Sequence, residues 1–307
     1  MGAMISIVIP TQRRPAGLAV ALRSALAQTG VDPAGLELIV ADNDQQPSAR
    51  LAVESAAKSA PFPVRYIHVP EAGVANVRNG AMRAATGQWI AFLDDDQEAP
   101  AGWLAALLDA AALHRADVVF GPVMARAPES VTVHRAYLER FFSREGPALA
   151  GPMAGYFGCG DSLLRRAALP DPDQPFNTAR NYIGGEDDLL FGTMKAAGAT
   201  FVWAPDAWVW EDPIPDRLTL RYTLARAFAY GQGPSEHCYA STPRDWAGLV
   251  RWMVIGLGQA VVFGAVAAGK WVIRAPDRAQ ALDRAARGLG KTLWFGPFKI
   301  NFYGRSA

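Results

Sequence analysis

The chain alternates between short, wholly apolar runs and longer stretches with helical spacing. Ile5-Ser6-Ile7-Val8-Ile9-Pro10 is a β-branched run stopped by proline. Glu37-Leu38-Ile39-Val40-Ala41, Val64-Arg65-Tyr66-Ile67-His68-Val69 and Trp89-Ile90-Ala91-Phe92-Leu93 are of the same kind, and each predicts a strand. Between them, residues 18–28, the alanine-rich 49–59 and 76–85 predict helices. This alternation defines an α/β class with a mostly parallel sheet flanked by helices. Strands covered on both faces are apolar throughout, as these are.

The second half is less regular. Asp117-Val118-Val119-Phe120 and Thr200-Phe201-Val202-Trp203 predict strands, and residues 189–197 a helix. Pro and Gly are dense over residues 146–175, which predicts loops. Beyond about residue 215 the character changes. Residues 217–230 predict an amphipathic helix, and residues 252–268 are apolar except for Gln259. The chain therefore divides into a domain over 4–215 and a helical C-terminal region over 216–307, with no internal repeat.

Composition narrows the function classes. A chain of 307 residues can bury a large core without staples. Its net charge is +1, from 30 basic and 29 acidic residues, with no long single-sign run, so a nucleic-acid partner is not expected. The two cysteines, Cys159 and Cys238, form no C-x-x-C pattern, which argues against a zinc knuckle or disulfide framework. The apolar stretch from Met4 to Pro10 is too short for a signal-peptide core and no basic segment precedes it, so a cytoplasmic location is expected. Met1-Gly2-Ala3, ahead of a second methionine, is left out of the fold reasoning as an expression remnant.

Three of the predicted strands run straight into polar clusters: Thr11-Gln12-Arg13-Arg14, Asp42-Asn43-Asp44 and Asp94-Asp95-Asp96. Ligands of open α/β sheets bind beyond the carboxyl ends of strands. Three adjacent carboxylates repel one another unless a cation is present. Their oxygens suit Mg²⁺ or Mn²⁺, completed by diphosphate oxygens and water. The same acids also suit a solvated turn leading to a helix that opens near Pro100.

Phe92-Leu93-Asp94-Asp95-Asp96, followed by Trp103-Leu104, resembles the D-x-D region of glycosyltransferase family 2, which has the Rossmann-like GT-A fold. The resemblance implies an inverting transferase that uses a nucleotide diphosphate sugar, a UDP-sugar above all, and a divalent cation, Mn²⁺ or Mg²⁺. It makes Asp96 the metal ligand and places Asp94 and Asp95 on the donor. Ile7-Val8-Ile9-Pro10-Thr11 resembles the family's opening strand, with Pro10 and Thr11 beside the base. Asp42 matches the acid that accepts from the base N3–H. Arg78 matches the arginine of the G-x-x-x-x-R-N-x-G segment that starts at Gly73. Gly158-Cys159-Gly160-Asp161 resembles the acceptor-side loop, giving Gly160 and Asp161 to the acceptor, although many members carry Asn in place of Asp161. Gly184-Gly185-Glu186-Asp187-Asp188 matches the E-D pair before a helix, with Asp187 as the base and Glu186 beside it. Both acids also suit a helix N-terminus. Ala204-Pro205-Asp206-Ala207-Trp208-Val209-Trp210-Glu211 resembles a segment that ends in a metal-binding His; Glu211 stands there instead and remains a competent ligand.

The family resemblance covers residues 4–215, so the tail is read from its residues alone. The 252–268 stretch is near the lower limit for a membrane span and lies between Trp252 and Trp271, with Arg251, Lys270 and Arg274 close by. Peripheral association with the inner face of the cell membrane is favoured over a span, with a buried helix as the alternative. Trp294-Phe295-Gly296-Pro297-Phe298-Lys299 and Phe302-Tyr303 form a second aromatic patch. The expected acceptor is a hydroxyl of a saccharide or lipid-linked saccharide in bacterial polysaccharide assembly. Three other functions compete. A nucleotidyltransferase would carry a glycine-rich loop near residue 12, and an NAD-dependent enzyme a G-x-G-x-x-G after the first strand; neither is present. A catalytically silent sugar-binding assembly protein is opposed by Asp96, Glu186 and Asp187 and favoured only by Glu211.

Overall fold

The computed structural model describes residues 4–181 and 184–300. Met1–Ala3 and the Phe302-Tyr303 end of the aromatic patch lie outside that range. In chain order the elements are β1 (Ile5–Thr11), α1 (Pro15–Leu26), β2 (Leu36–Asp42), α2 (Arg50–Ala57), β3 (Val64–His68), α3 (Val74–Ala84), β4 (Trp89–Phe92), β5 (Gln97–Glu98), α4 (Trp103–His114), β6 (Val118–Phe120), β7 (Val123–Ala125), α5 (Arg135–Phe142), β8 (Gly151–Pro152), β9 (Ser162–Arg165), α6 (Glu186–Ala196), β10 (Phe201–Trp203), β11 (Val209–Glu211), α7 (Leu220–Ala240), α8 (Trp246–Val272) and α9 (Arg278–Thr292). They group into two compact units, one holding residues 1–125 and 143–212, the other Arg126–Phe142 and Pro213–Phe302.

The first unit is built on an eight-stranded sheet in the order β3-β2-β1-β4-β9-β6-β10-β8. The predicted parallel core is present: β2 and β4 flank β1, both parallel to it. Alternate residues of the strands feed two cores. Ile5, Ile7 and Ile9 of β1 and Leu38 and Val40 of β2 pack with Leu18 and Leu22 of α1, Val53 of α2 and Trp103 and Leu107 of α4. Val8, Ile39 and Ala41 pack on the other face with Val77 and Ala81 of α3 and Phe191 and Met194 of α6. This two-sided burial explains why the strands lack polar alternation.

Several elements escaped the sequence reading, α5, β8 and α9 among them. Residues 162–165, inside the expected loop region, form β9, which enters the middle of the sheet antiparallel to β4 and β6. Four residues between glycines and an arginine pair leave too short a pattern to signal a strand. A second sheet, β5-β11-β7, is shorter still, with two or three residues per strand.

The order β3-β2-β1-β4 places the reversal of strand order at β1 and β4, the position where ligands bind in such sheets. Thr11 is level with Asp42, and Val8 with Phe92. The polar clusters that follow β1, β2 and β4 therefore leave from one edge.

In the second unit α9 packs between α7 and α8 through small residues. A Cβ on Gly290 or Gly231 would strike the facing backbone, at Phe228 and Arg287 respectively, and Gly256 faces Gly288 in the same way. The helix predicted over 217–230 runs on to Ala240, and the apolar 252–268 stretch is the middle of the 27-residue α8. α5 joins these helices through Phe141 against Tyr230 and Phe142 against Tyr222.

Candidate active site

The loop after β1 is clamped to the acid triplet. Thr11 Oγ1 donates to Asp95 Oδ2 (2.7 Å), the Gln12 amide reaches the same oxygen (3.3 Å), and Arg14 Nη1 lies 3.1 Å from Asp95 Oδ1. Asp95 is buried, and burial pushes its carboxyl up to about 6 against the pull of Arg14. Asp95 therefore faces the protein's own donors, in contrast to the donor-contact role expected of it. Thr11 is thus part of this clamp, and Pro10 precedes it at the carboxyl end of β1.

Asp42 is likewise committed inward. One oxygen accepts from the Asp44 amide (3.0 Å); the other accepts from the Ala49 amide (2.9 Å) and the Tyr66 hydroxyl (2.9 Å), and the residue is fully buried. With three hydrogen bonds from its own turn, helix start and β3, and no exposed surface, this carboxylate shapes its turn and does not face a base in this conformation. The neighbouring Asn43 accepts from the Gly73 amide (3.0 Å) and donates to the carbonyls of Val69 and Glu71, tying the β2 turn to the start of α3.

Arg78 joins the donor side to the acceptor side. Its Nη1 lies 2.5 Å from Glu186 Oε1, its Nη2 lies 3.8 Å from Asp94 Oδ1, and its guanidinium carbon lies over the Phe176 ring, 5.5 Å from the centroid. Its Nε is buried with no partner among the described residues. Burial raises the Glu186 carboxyl, while the Arg78 charge holds it down. α3 carries Arg78, and its first turn is capped from a distance: Asn181 Oδ1 accepts from the Ala75 (3.0 Å) and Asn76 (3.1 Å) amides.

Glu186 is buried, whereas Asp187 is half-buried and Asp188 exposed. Asp187 Oδ2 accepts from the Cys159 amide at 3.3 Å, so the base candidate stands against the 158–161 loop. Gly160 is required there because a Cβ would collide with the Asp94 carboxylate. Asp161 does not open toward an acceptor. It is fully buried at φ +53°, bonded to Trp103 Nε1 (2.7 Å) and Arg144 Nη2 (3.1 Å), and burial pushes its carboxyl up to about 7. It locks the loop whose Cys159 amide meets Asp187 and whose Gly160 lies against Asp94.

Asp96 and Glu211 are brought together by backbone pairing. Gln97, the next residue after Asp96, pairs with Glu211 across β5 and β11, and the Asp212 amide donates to the Asp96 carbonyl (2.9 Å). Burial, then the charges of Asp96 and Asp94, push the Glu211 carboxyl up to about 8. Among the described residues no three His, Cys, Asp or Glu side chains form a ready metal cage. Asp96 and Asp94 raise the cost of charging Glu211, and carboxylates gathered in this way fit a hard cation whose remaining positions are filled by phosphate oxygens and water. Arg14 Nη1 lies 2.5 Å from Asp96 Oδ2 and supplies positive charge to the cluster.

Sequence reasoning placed Arg14 only in the polar cluster after β1, without its role on the acid triplet, and missed Asn181 and Arg144. Arg144 donates to the carbonyls of Gly121, Gly158 and Asp161 and so holds the 158–161 loop. The roles of all three lack a local signal, because each acts on a partner at least fourteen residues away.

A doubly wound sheet with an acid triplet at its switch point, an arginine bridge and a second acid pair in the first turn of a helix defines a GT-A glycosyltransferase. The Glycosyl transferase family 2 model matches residues 6–171, and the chain belongs to that family. It is 38% identical over 230 residues to the succinoglycan biosynthesis protein ExoM of Rhizobium meliloti, covering 74% of this chain and 73% of that protein. In fold it is similar to a mannosyltransferase from Pyrobaculum calidifontis solved with GDP-mannose and Mn²⁺, with a TM-score of 0.61 and 19% identity over 95% of this chain and 87% of that one. It is also similar to residues 1–349 of S. aureus TarS solved with UDP, with a TM-score of 0.54 and 16% identity over 94% and 90%. The match to the longer TarS chain covers 40% of its length. The protein is thus a glycosyltransferase, and neither the nucleotidyltransferase nor the NAD-dependent reading is needed.

Proposed function

We propose that this enzyme inverts the anomeric centre of a UDP-sugar as it transfers the sugar to a hydroxyl of a saccharide or lipid-linked acceptor in bacterial polysaccharide assembly. The observation that carries this is Arg78, which spans from Asp94 of the strand-end triplet to Glu186 beside Asp187. Donor-side and acceptor-side carboxylates are thereby held within the reach of one guanidinium. The catalytic work is assigned to residues 4–215. Asp187 is the base: it is the more accessible of the E-D pair, and Glu186 is taken by Arg78. It accepts the acceptor hydroxyl proton as the oxygen attacks the anomeric carbon and the bond to the nucleotide diphosphate breaks.

Asp96 and Glu211 would hold Mn²⁺ or Mg²⁺, with Asp94 and Arg78 on the donor. A divalent cation there would offset the charge developing on the departing diphosphate. Pro10 and Thr11 lie along the nucleotide, while Asp42, Asp95 and Asp161 act through the loops they anchor and Gly160 keeps space beside Asp94. The likeness to ExoM, a protein of succinoglycan biosynthesis, supports a saccharide acceptor. The helical unit would place the enzyme at the cytoplasmic face of the membrane, where lipid-linked acceptors are found.

Titration calorimetry with UDP tests the donor and cation together. Binding is expected with Mn²⁺, to weaken with chelator and to weaken in Asp96→Ala. Equal UDP affinity in all three conditions would sink the cation assignment. Proton NMR of the first-formed product reads the anomeric outcome, and retained configuration would overturn the single displacement.

A further inference from the structure

We infer that α8 lies in the plane of an anionic membrane surface, with one apolar face immersed, and does not cross the bilayer. This rests on the membrane reading above and says how the helical unit meets the lipid. By length and composition α8 could span: 27 residues measure about 40 Å against an apolar core of about 30 Å. Only Leu249, Gly256 and Ala267 of it are buried, so it is not the core helix of a soluble domain. Val250, Val254, Leu257 and Val261 are exposed on successive turns, and Val272 continues the line. At about 100° per residue this stripe lies opposite Gly256 and Ala267, the side that packs on α9.

What decides against a span is α9. Gln259, the central residue of α8, donates to the Arg284 carbonyl (2.9 Å) and accepts from Lys291 Nζ (3.0 Å). The Arg284 guanidinium lies 5.0 Å from the Phe263 ring. A spanning α8 would carry Arg284 and Lys291 to the middle of the hydrocarbon, along with the Asp283–Arg287 pair one turn away. Lying flat, the same pair of helices keeps every α9 charge on the water side and gives the bare valine stripe to the lipid.

The ends of α8 complement anionic headgroups. Arg244 and Arg251 stand at its start and Lys270, Arg274 and Arg278 at its finish, against Asp245 and Asp277, with no charged side chain between Arg251 and Lys270. Trp246 and Trp271 are exposed at opposite ends, each beside an arginine, Arg244 and Arg278 respectively. Amphipathic aromatic rings and cations at both ends fix a helix along the interface.

Depth measurement separates the two arrangements. Val250→Cys, Val254→Cys, Val261→Cys and Val272→Cys in the full chain, each labelled with NBD, are bound to vesicles of phosphatidylglycerol and phosphatidylcholine and quenched by doxyl lipids at graded depths. Native Cys159 and Cys238 are buried and resist labelling. All four labels are expected at one shallow depth, roughly 5–10 Å below the headgroups. A profile deepest at position 261, with the two ends at opposite leaflets, would overturn the in-plane arrangement while leaving membrane binding intact. Val254→Asp with Val261→Asp is expected to lower vesicle partitioning about tenfold or more without altering UDP binding. Absence of vesicle binding by the unsubstituted chain, or a concentration-dependent dimer that hides the stripe, would overturn both the arrangement and the membrane reading, and would leave the transferase assignment to calorimetry.

Discussion

Arg14 and Asp96 stand 2.5 Å apart, the guanidinium on the carboxylate assigned to the cation. The same Nη1 reaches Asp95. In the free enzyme, then, the acid triplet already has a positive partner, and cation binding at Asp96 must displace it. The pair is partly exposed, so its net worth is about 1 kcal/mol after solvent screening. Arg14→Ala is expected to raise nucleotide-free Mn²⁺ affinity about fivefold, read by electron paramagnetic resonance of free Mn²⁺. An unchanged affinity would show that the ion pair does not compete with metal.

The two acids of the E-D pair should fail differently. Asp187→Asn keeps size and capping ability and is expected to lower transfer about 10²–10⁴-fold with the melting temperature unchanged. Glu186→Gln leaves the buried Arg78 charge with only Asp94, 3.8 Å away, as an acidic partner and is expected to cost about 3 kcal/mol of stability by denaturant unfolding. If Asp187→Asn retains transfer and Glu186→Gln folds normally but is inactive, the base is Glu186.

These two residues also mark what could be seen in the sequence. The E-D pair, the acid triplet and the four leading strands carry dense local patterns, and the structure gathers the triplet, Arg78 and the E-D pair at one edge of the sheet. Which oxygen faces which donor was not visible. Asp42 and Asp94 are both strand-end carboxylates, yet one is fully buried against an amide, a hydroxyl and a helix start, and the other is left half-buried opposite Gly160. That difference arises from Ala49, Tyr66 and the 158–161 loop, all distant enough that no spacing rule links them. β9 was hidden for the same reason: its strand character comes from its neighbours, not from its four residues.

Glu37 gives the fold an acid-side limit. Buried in β2, it accepts from Ser6 Oγ (2.6 Å), the Thr86 amide (2.6 Å), Thr86 Oγ1 (2.8 Å) and Arg65 (3.3 Å). Burial alone would raise its carboxyl, but these donors outweigh burial and hold it below the usual value of 4.5. A carboxyl depressed in the folded state stabilises it above the unfolded pKa, and that contribution fades as pH falls through the folded one. The melting temperature of the unsubstituted chain should therefore exceed that of Glu37→Gln at pH 7, with the gap closing below roughly pH 4. A gap independent of pH would assign the effect to packing.

Gly160→Ala tests the space beside Asp94. The added Cβ meets the Asp94 carboxylate and Gln97, and overpacking of this kind costs about 1–3 kcal/mol. The expected result is a modest fall in melting temperature with a clear loss of Mn²⁺-dependent UDP affinity. Stability lost with affinity unchanged would place Asp94 outside the donor site.

The three consecutive aspartates carry one chemistry but point to different destinations. Asp94 meets Arg78, Asp95 meets Thr11 and Gln12, and Asp96 stands next to the residue paired with Glu211. Their number therefore matters more than their identity. Exchanging the central aspartate for asparagine keeps an acceptor for Thr11, whereas inserting one residue between Leu93 and Gln97 removes no functional group yet hands every carboxylate to the wrong neighbour. The β5–β11 ladder acts as a ruler, and family members should vary more readily in the letter at the middle position than in the length of this turn.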